Sequence, residues 1–313
     1  MFKLGIIVPC YNEGPLLRET TRQLSNVLER LVAAEAISPD SRIYYVDDGS
    51  TDSTWTLVET LCDESECVAG IKLSRNQGHQ NALLAGLFTV EADALITVDA
   101  DLQDDIDVID KMVENYKEGA DIVYGVRADR SADTLFKRAT ANTFYRMMSM
   151  LGVDTVSNHA DYRLMSRRAI EALKEFHEVN LFLRGIVPLI GFKSAIVSYK
   201  RSERMSGQSK YTLRKMLSLA LEGVTSFSVT PLRIITGFGL LVFVFSISMI
   251  LYVLSIKMFT NTAVPGWAST VLPIYLLGGI QIFCIGIIGE YIGRIYREVK
   301  ARPRYIIERY INL

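Results

Sequence analysis

Ile43-Tyr44-Tyr45-Val46-Asp47-Asp48-Gly49-Ser50-Thr51-Asp52 is an apolar run of strand length that ends in two consecutive acids and a turn of small residues. Ala94-Leu95-Ile96-Thr97-Val98-Asp99-Ala100-Asp101-Leu102-Gln103-Asp104 repeats that arrangement further along. Outward from these two strings, apolar runs at 4–8, 42–46, 68–73, 94–98 and 121–124 alternate with amphipathic stretches at 15–36, 53–62, 79–89 and 108–118. The alternation predicts an α/β domain, a mostly parallel sheet with helices on both faces. Ligands bind such sheets outside the carboxyl ends of the strands, and both acidic strings fall at that edge. Between 131 and 199 the periodicity is mixed: a helix around 135–151, a strand at 162–165, a helix from Arg167 and a strand near 195–199.

The 313 residues carry a formal net charge of −1, are 49% hydrophobic and have a mean hydropathy of +0.20. That balance is high for a wholly soluble enzyme and does not point to nucleic acid. Cys10, Cys62, Cys67 and Cys284 show no CxxC spacing and read as reduced thiols. Leu4-Gly5-Ile6-Ile7-Val8 is too short for a signal core and reads as a buried strand. The apolar excess sits late. Residues 200–210 read as a mobile loop and 211–228 as an amphipathic helix on a membrane surface. No charge interrupts 234–256, and a second charge-free stretch has 270–289 as its spanning part; each reaches the roughly 20 residues that a bilayer needs. Arg and Lys crowd the outer flanks of this pair, which predicts that both termini are cytoplasmic, in a multi-pass plasma-membrane protein. The expected divisions are a catalytic domain at 1–210, a juxtamembrane helix at 211–230, a two-helix transmembrane unit at 231–290 and a basic segment at 291–313.

Asp47 and Asp48 end a strand, and helix capping by Ser50, Thr51 or Asp52 does not account for two consecutive acids there. Asp99 and Asp101 are two residues apart and, in extended geometry, face the same way. Paired carboxylates suit a shared cation or ligand hydroxyls; a hard divalent ion takes one or two carboxylates and completes its shell with phosphate oxygens and water. The competing reading is a solvated acidic turn extended by Asp104, Asp105 and Asp107. Arg75-Asn76-Gln77-Gly78-His79-Gln80-Asn81 joins a strand to a helix and offers backbone N–H groups to an anion or a base edge. A lone histidine at a helix start is more often a cap or surface residue, so His79 receives no acid–base role. There is no Gly-x-Gly-x-x-Gly after the first strand and no P-loop lysine, which disfavours nicotinamide and kinase-like chemistry.

Ile7-Val8-Pro9-Cys10-Tyr11-Asn12-Glu13, Val46-Asp47-Asp48-Gly49-Ser50, Ser74-Arg75-Asn76-Gln77-Gly78, Asp99-Ala100-Asp101-Leu102-Gln103-Asp104 and Asp161-Tyr162-Arg163-Leu164-Met165 occur in the order seen in inverting family 2 glycosyltransferases. With Gly207-Gln208-Ser209-Lys210-Tyr211, the chain resembles their polyprenyl-phosphate branch, the bactoprenol glucosyltransferases and dolichol-phosphate mannosyltransferases. The resemblance implies a Rossmann-like GT-A fold. It places Pro9, Tyr11, Glu13, Asp47, Asp48, Arg75, Asn76, Asp99 and Ala100 around a nucleotide sugar, and Asp101 with Gln103 on Mg²⁺ or Mn²⁺. It makes Asp161 and Asp99 the catalytic candidates. Arg127, Arg138, Arg163, Arg201 and Lys210 are the candidate cations for an acceptor phosphate. The Gln-x-x-Arg-Trp motif of processive relatives is lacking, so one sugar per acceptor is expected. Ala160 and Gln208 depart from the common Gly and Glu.

The expected reaction is inverting transfer of one hexose, glucose first, from a UDP-sugar to undecaprenyl phosphate beside the bilayer. Transfer to a hydroxyl acceptor, a non-catalytic nucleotide-sugar-binding subunit and self-association stay open as alternatives.

Overall fold

The structure, a computed structural model, describes residues 1–127, 159–178, 183–199, 230–259 and 267–313. The strands are β1 (Leu4–Cys10), β2 (Arg42–Asp47), β3 (Val68–Leu73), β4 (Ala94–Thr97), β5 (Ile122–Arg127), β6 (His159–Ser166), β7 (Ser194–Tyr199) and β8 (Ile307–Ile311). The helices are α1 (Gly14–Ala33), α2 (Thr54–Glu64), α3 (His79–Thr89), α4 (Val108–Lys117), α5 (Arg167–Lys174), α6 (Leu183–Leu189), α7 (Thr230–Phe259) and α8 (Trp267–Val299). The described strands form one sheet in the order β7-β5-β6-β4-β1-β2-β3-β8.

Period-two alternation fills both faces of that sheet. Leu4, Ile6 and Val8 of β1, Ile43 and Tyr45 of β2 and Ile96 of β4 pack in one core with α1, α2 and α4. Ile7, Tyr44, Val46 and Leu95 point to the other core, with α3, α5 and α6. Strands buried on both faces read as continuous apolar runs, which is why they stand out in the sequence. β1 lies between β2 and β4 in parallel, with Cys10 opposite Asp47 and Ile7 opposite Thr97. The carboxyl ends of these three strands therefore open at one edge.

Two strands break the parallel pattern. β6 runs antiparallel to both β4 and β5, setting Arg163 opposite Thr97 and Tyr124. This reversal brings Asp161 to the end of β4, where the Thr97 hydroxyl donates to the Asp161 carbonyl. β8 runs antiparallel along β3, with Ile71 opposite Tyr310. Ser74 N–H donates to the Ile306 carbonyl at 2.9 Å, and Arg309 pairs with Glu59 at 2.7 Å. The chain's last strand thus covers an edge that would otherwise present unpaired backbone groups.

Residues 234–256 and 270–289 do fall within helices, α7 with 30 residues and α8 with 33. Among the described residues, however, no helix is long and apolar enough to cross a membrane. This overturns the expected transmembrane pair, and with it the multi-pass placement and orientation. The expectation rested on the charge-free stretches 234–256 and 270–289. α7 includes Thr236, Ser248 and Ser255, each donating to a carbonyl four residues back at 2.9 Å, and α8 includes Pro273, Gln281 and Glu290. The expected helices at 135–151 and 211–228 and the loop at 200–210 lie outside the described residues.

Gly49 fixes how closely two loops of the ligand edge approach. Its φ is +66°, and a Cβ there would stand 2.5 Å from the Arg75 carbonyl carbon and 2.6 Å from the Asn76 nitrogen. Left-handed strain costs a non-glycine residue roughly 1–2 kcal/mol, and the overlap with backbone adds to it. Gly49→Ala is expected to lower unfolding stability in urea by at least about 2 kcal/mol, and an unchanged midpoint would contradict this packing.

Candidate active site

Three loops at the carboxyl edge are tied together before any ligand is considered. After β1, Asn12 adopts a φ of 55°; its side-chain oxygen accepts from Thr51 N–H at 2.9 Å, and its own N–H donates to the Ser50 hydroxyl at 3.0 Å. Glu13 N–H donates to the Thr54 hydroxyl at 3.0 Å. After β2, Asp47 is fully buried and accepts from Ser50 N–H at 3.3 Å. Asp48 reaches the loop after β3, accepting from Gln77 N–H at 2.7 Å and Gly78 N–H at 2.9 Å. Burial pushes both carboxyls up, while the amide donors oppose it. The anion served by the Gln77 and Gly78 amides is thus Asp48 itself. Pro9 is buried in β1, whereas Tyr11, Arg75 and Asn76 are exposed at the rim.

β4 ends at Thr97, so strand alternation does not govern Asp99 and Asp101; Asp99 precedes a turn at residues 100 and 101, and Asp101 lies within it. Leu102 has a φ of 51°, and Gln103 N–H donates to the Asp101 carboxylate at 3.2 Å while the Gln103 side chain is buried. Ala100 is buried, its carbonyl accepting from the Thr20 hydroxyl at 2.9 Å. Asp104, read from the sequence as one more acid of a solvated turn, is buried instead. Its carboxylate accepts from the Tyr199 hydroxyl at 2.6 Å and Arg127 at 3.3 Å.

Asp161 sits among arginines. Arg163 pairs with its Oδ1 at 2.7 Å, and Arg184, from the start of α6, reaches Oδ2 at 3.2 Å. Burial raises its pKa, but Arg184 and Arg163 outweigh it and hold the carboxyl well below the usual range. Asp99 has the opposite fate. Its side chain is 39% open to the cleft, yet desolvation at the cleft floor, reinforced by Asp104, Asp161 and Asp101, pushes it up to about 6 against the opposing effect of His79. His79 Nε2 lies between the two, 3.6 Å from Asp99 and 3.9 Å from Asp161.

The acceptor cations divide sharply. Arg163 is only 2% exposed, pairing with Asp161 and, at 3.5 Å, donating to the Leu183 carbonyl. Arg127 is committed to Asp104 and Tyr199. Arg138, Arg201 and Lys210 lie outside the described residues. Arg184, which sequence reasoning missed, is 40% exposed beside Asp161. It carries no motif; the lone cation in Leu183-Arg184-Gly185-Ile186 was the one available hint. His79 was seen and set aside.

Among the described residues no three His, Cys, Asp or Glu side chains converge as a metal cage. The donors at the edge are carboxylate oxygens, which suit a hard divalent ion held by one or two acids and completed by a ligand's phosphate oxygens. The part-exposed Asp101 fits that role.

Residues 5–174 match the description Glycosyl transferase family 2, and residues 230–295 match GtrB C-terminal hairpin. The chain is 50% identical to the uncharacterized glycosyltransferase YkoT of Bacillus subtilis, covering 97% of this chain and 91% of that protein. It is 41% identical to the prophage bactoprenol glucosyl transferase homolog of Escherichia coli, over 98% and 99% of the two chains. Against the bactoprenol glucosyl transferase of Shigella phage SfX it is 40% identical, over 98% and 99%. With the acidic strings at the carboxyl edge and likeness running nearly end to end, the chain belongs to glycosyl transferase family 2 and is a hexosyltransferase related to the bactoprenol glucosyl transferases.

Proposed function

We propose that the protein transfers one hexose, glucose first among candidates, from a UDP-sugar to a polyprenyl phosphate such as undecaprenyl phosphate, with inversion. The observation that carries this reading is the pairing of Asp161 with Arg163 and Arg184. A hydroxyl acceptor needs a base, and a carboxylate held ionised by two guanidinium groups is a poor one. A phosphate monoester, with a second pKa of roughly 6, is already largely a dianion near neutrality. Relatives named bactoprenol glucosyl transferases support both the polyprenyl acceptor and glucose.

The step is a single in-line displacement. An acceptor phosphate oxygen forms a bond to C1 of an α-linked nucleotide sugar as the bond from C1 to the diphosphate oxygen breaks. The electron pair leaves with UDP, no proton changes hands, and the product is β-linked. Arg184, 40% exposed, holds Asp161 through Nε and Nη2 and would meet an anionic headgroup as a neighbouring positive charge. Asp99 accepts hydrogen bonds from hydroxyls of the donor sugar, and Tyr11 and Glu13 line its nucleoside, with Pro9 and Asp47 buried beneath them. Mg²⁺ or Mn²⁺ bound with the donor, held by Asp101 beside Gln103, would neutralise the departing diphosphate.

Purified protein given labelled UDP- and GDP-hexoses is expected to move label into the organic phase from UDP-glucose with undecaprenyl phosphate, and to stop on addition of EDTA. Equal labelling of undecaprenol would remove the phosphate acceptor, and no transfer from any donor would favour a non-catalytic subunit. Arg184→Gln should raise the KM for the lipid phosphate about tenfold or more with little change in stability. Truncation of the buried partner, Arg163→Ala, should instead cost about 3 kcal/mol in unfolding. Similar behaviour of the two variants would refute their division of labour.

A further inference from the structure

Both carboxylates at the centre of the cleft look onto one imidazole, and the proposed reaction as described gives it nothing to do. His79 is the first residue of α3, and its position is set from behind. Gly78, at φ +90°, is held through its N–H by Asp48, and Gln80 accepts from Leu183 N–H at 3.2 Å, tying the start of α3 to the start of α6 and so to Arg184. From that anchored turn His79 Nε2 comes within 3.6 Å of Asp99, on the turn after β4, and 3.9 Å of Asp161, on β6. The side chain is 44% exposed, so it borders the open cleft and is not packed away in the core.

We propose that His79 is a positioning residue that bridges Asp99 on the donor side and Asp161 on the acceptor side, setting the two halves of the cleft against each other through one ring. The assignment of sides rests on the function proposed above; the bridge itself rests on geometry alone. Asp99 and Asp161 belong to different elements and carry like charge. Without a donor group between them, their repulsion turns the two side chains apart, and the sugar carbon and the attacking oxygen lose alignment. Arg163 and Arg184 do not substitute, because both are engaged on Asp161. His79 touches neither reacting atom in this account. It acts through the two carboxylates.

The distinguishing readouts are turnover and a spectroscopic signature. In the full chain His79→Gln is expected to lower kcat about tenfold, since small misplacements at a reaction centre carry such costs, with the KM for UDP-sugar changing less than about threefold. His79→Lys, which returns an N–H donor to that position, should recover most of the loss. A wild-type kcat in His79→Gln, or a purely KM effect, would overturn the proposal. Independently of substrate, ¹⁵N-histidine-labelled protein contains three imidazoles, of His79, His159 and His177. The His79 resonance, assigned by its loss in His79→Gln, should shift in both Asp99→Asn and Asp161→Asn and stay put in Asp110→Asn. A shift in one or neither of the first two would refute the bridge. If the wild-type protein transferred no hexose, the functional reading would fall while the resonance shifts still decided this one.

Discussion

The Asp48 carboxylate, buried at the end of β2 and gripping the Gln77 and Gly78 amides, is the contact on which the ligand edge depends. Hydrogen bonds to a charged acceptor contribute about 1.5–3 kcal/mol each, and here two of them share one carboxylate. Their consequence is positional. They pull the loop after β3 against Gly49, leave no room there for a side chain and fix the first turn of α3. Everything that α3 presents to the cleft, His79 above all, inherits its place from that grip.

From this frame the acids of the cleft take different characters, although the sequence presents them as a repeated type. Asp161 is kept ionised by two arginines, Asp99 is pushed up to about 6 by desolvation and neighbouring negative charge, and Asp104 is absorbed into a buried pair with Tyr199 and Arg127. Environments that differ in this way let similar side chains serve unlike roles within a few ångströms. The reversal of β6 is what permits it, since an antiparallel strand delivers its residues to the carboxyl edge from the opposite direction. Asp161 and Arg163 thereby meet the end of β4.

The strands 68–73 and the helix 79–89 were legible to the residue, and β1, β2, β4 and β5 to within a few residues, because burial on both faces leaves an unbroken apolar signal. β8 was not legible: five residues without period-two alternation, Ile307-Glu308-Arg309-Tyr310-Ile311, pair as a strand along the edge of β3. The helices α7 and α8 were legible as helices, but among the described residues neither is long and apolar enough to cross a membrane. Within the site, acids in strings could be read from spacing. Arginine partners could not, since neither the motif around Arg163 nor the motif-free setting of Arg184 tells that the first is buried and the second open.

By itself the sequence determined the α/β alternation, the edge at which the acidic strings lie and the family, because these depend on local periodicity and on ordered short motifs. Only the tertiary structure decided which cation is buried and which is open, which amide holds which carboxylate, and that His79 stands between Asp99 and Asp161. Those are relations between elements distant in the chain. Their distances are set by sheet order and packing, and for Asp48 with Gln77 or His79 with Asp161 no short window of sequence contains both partners.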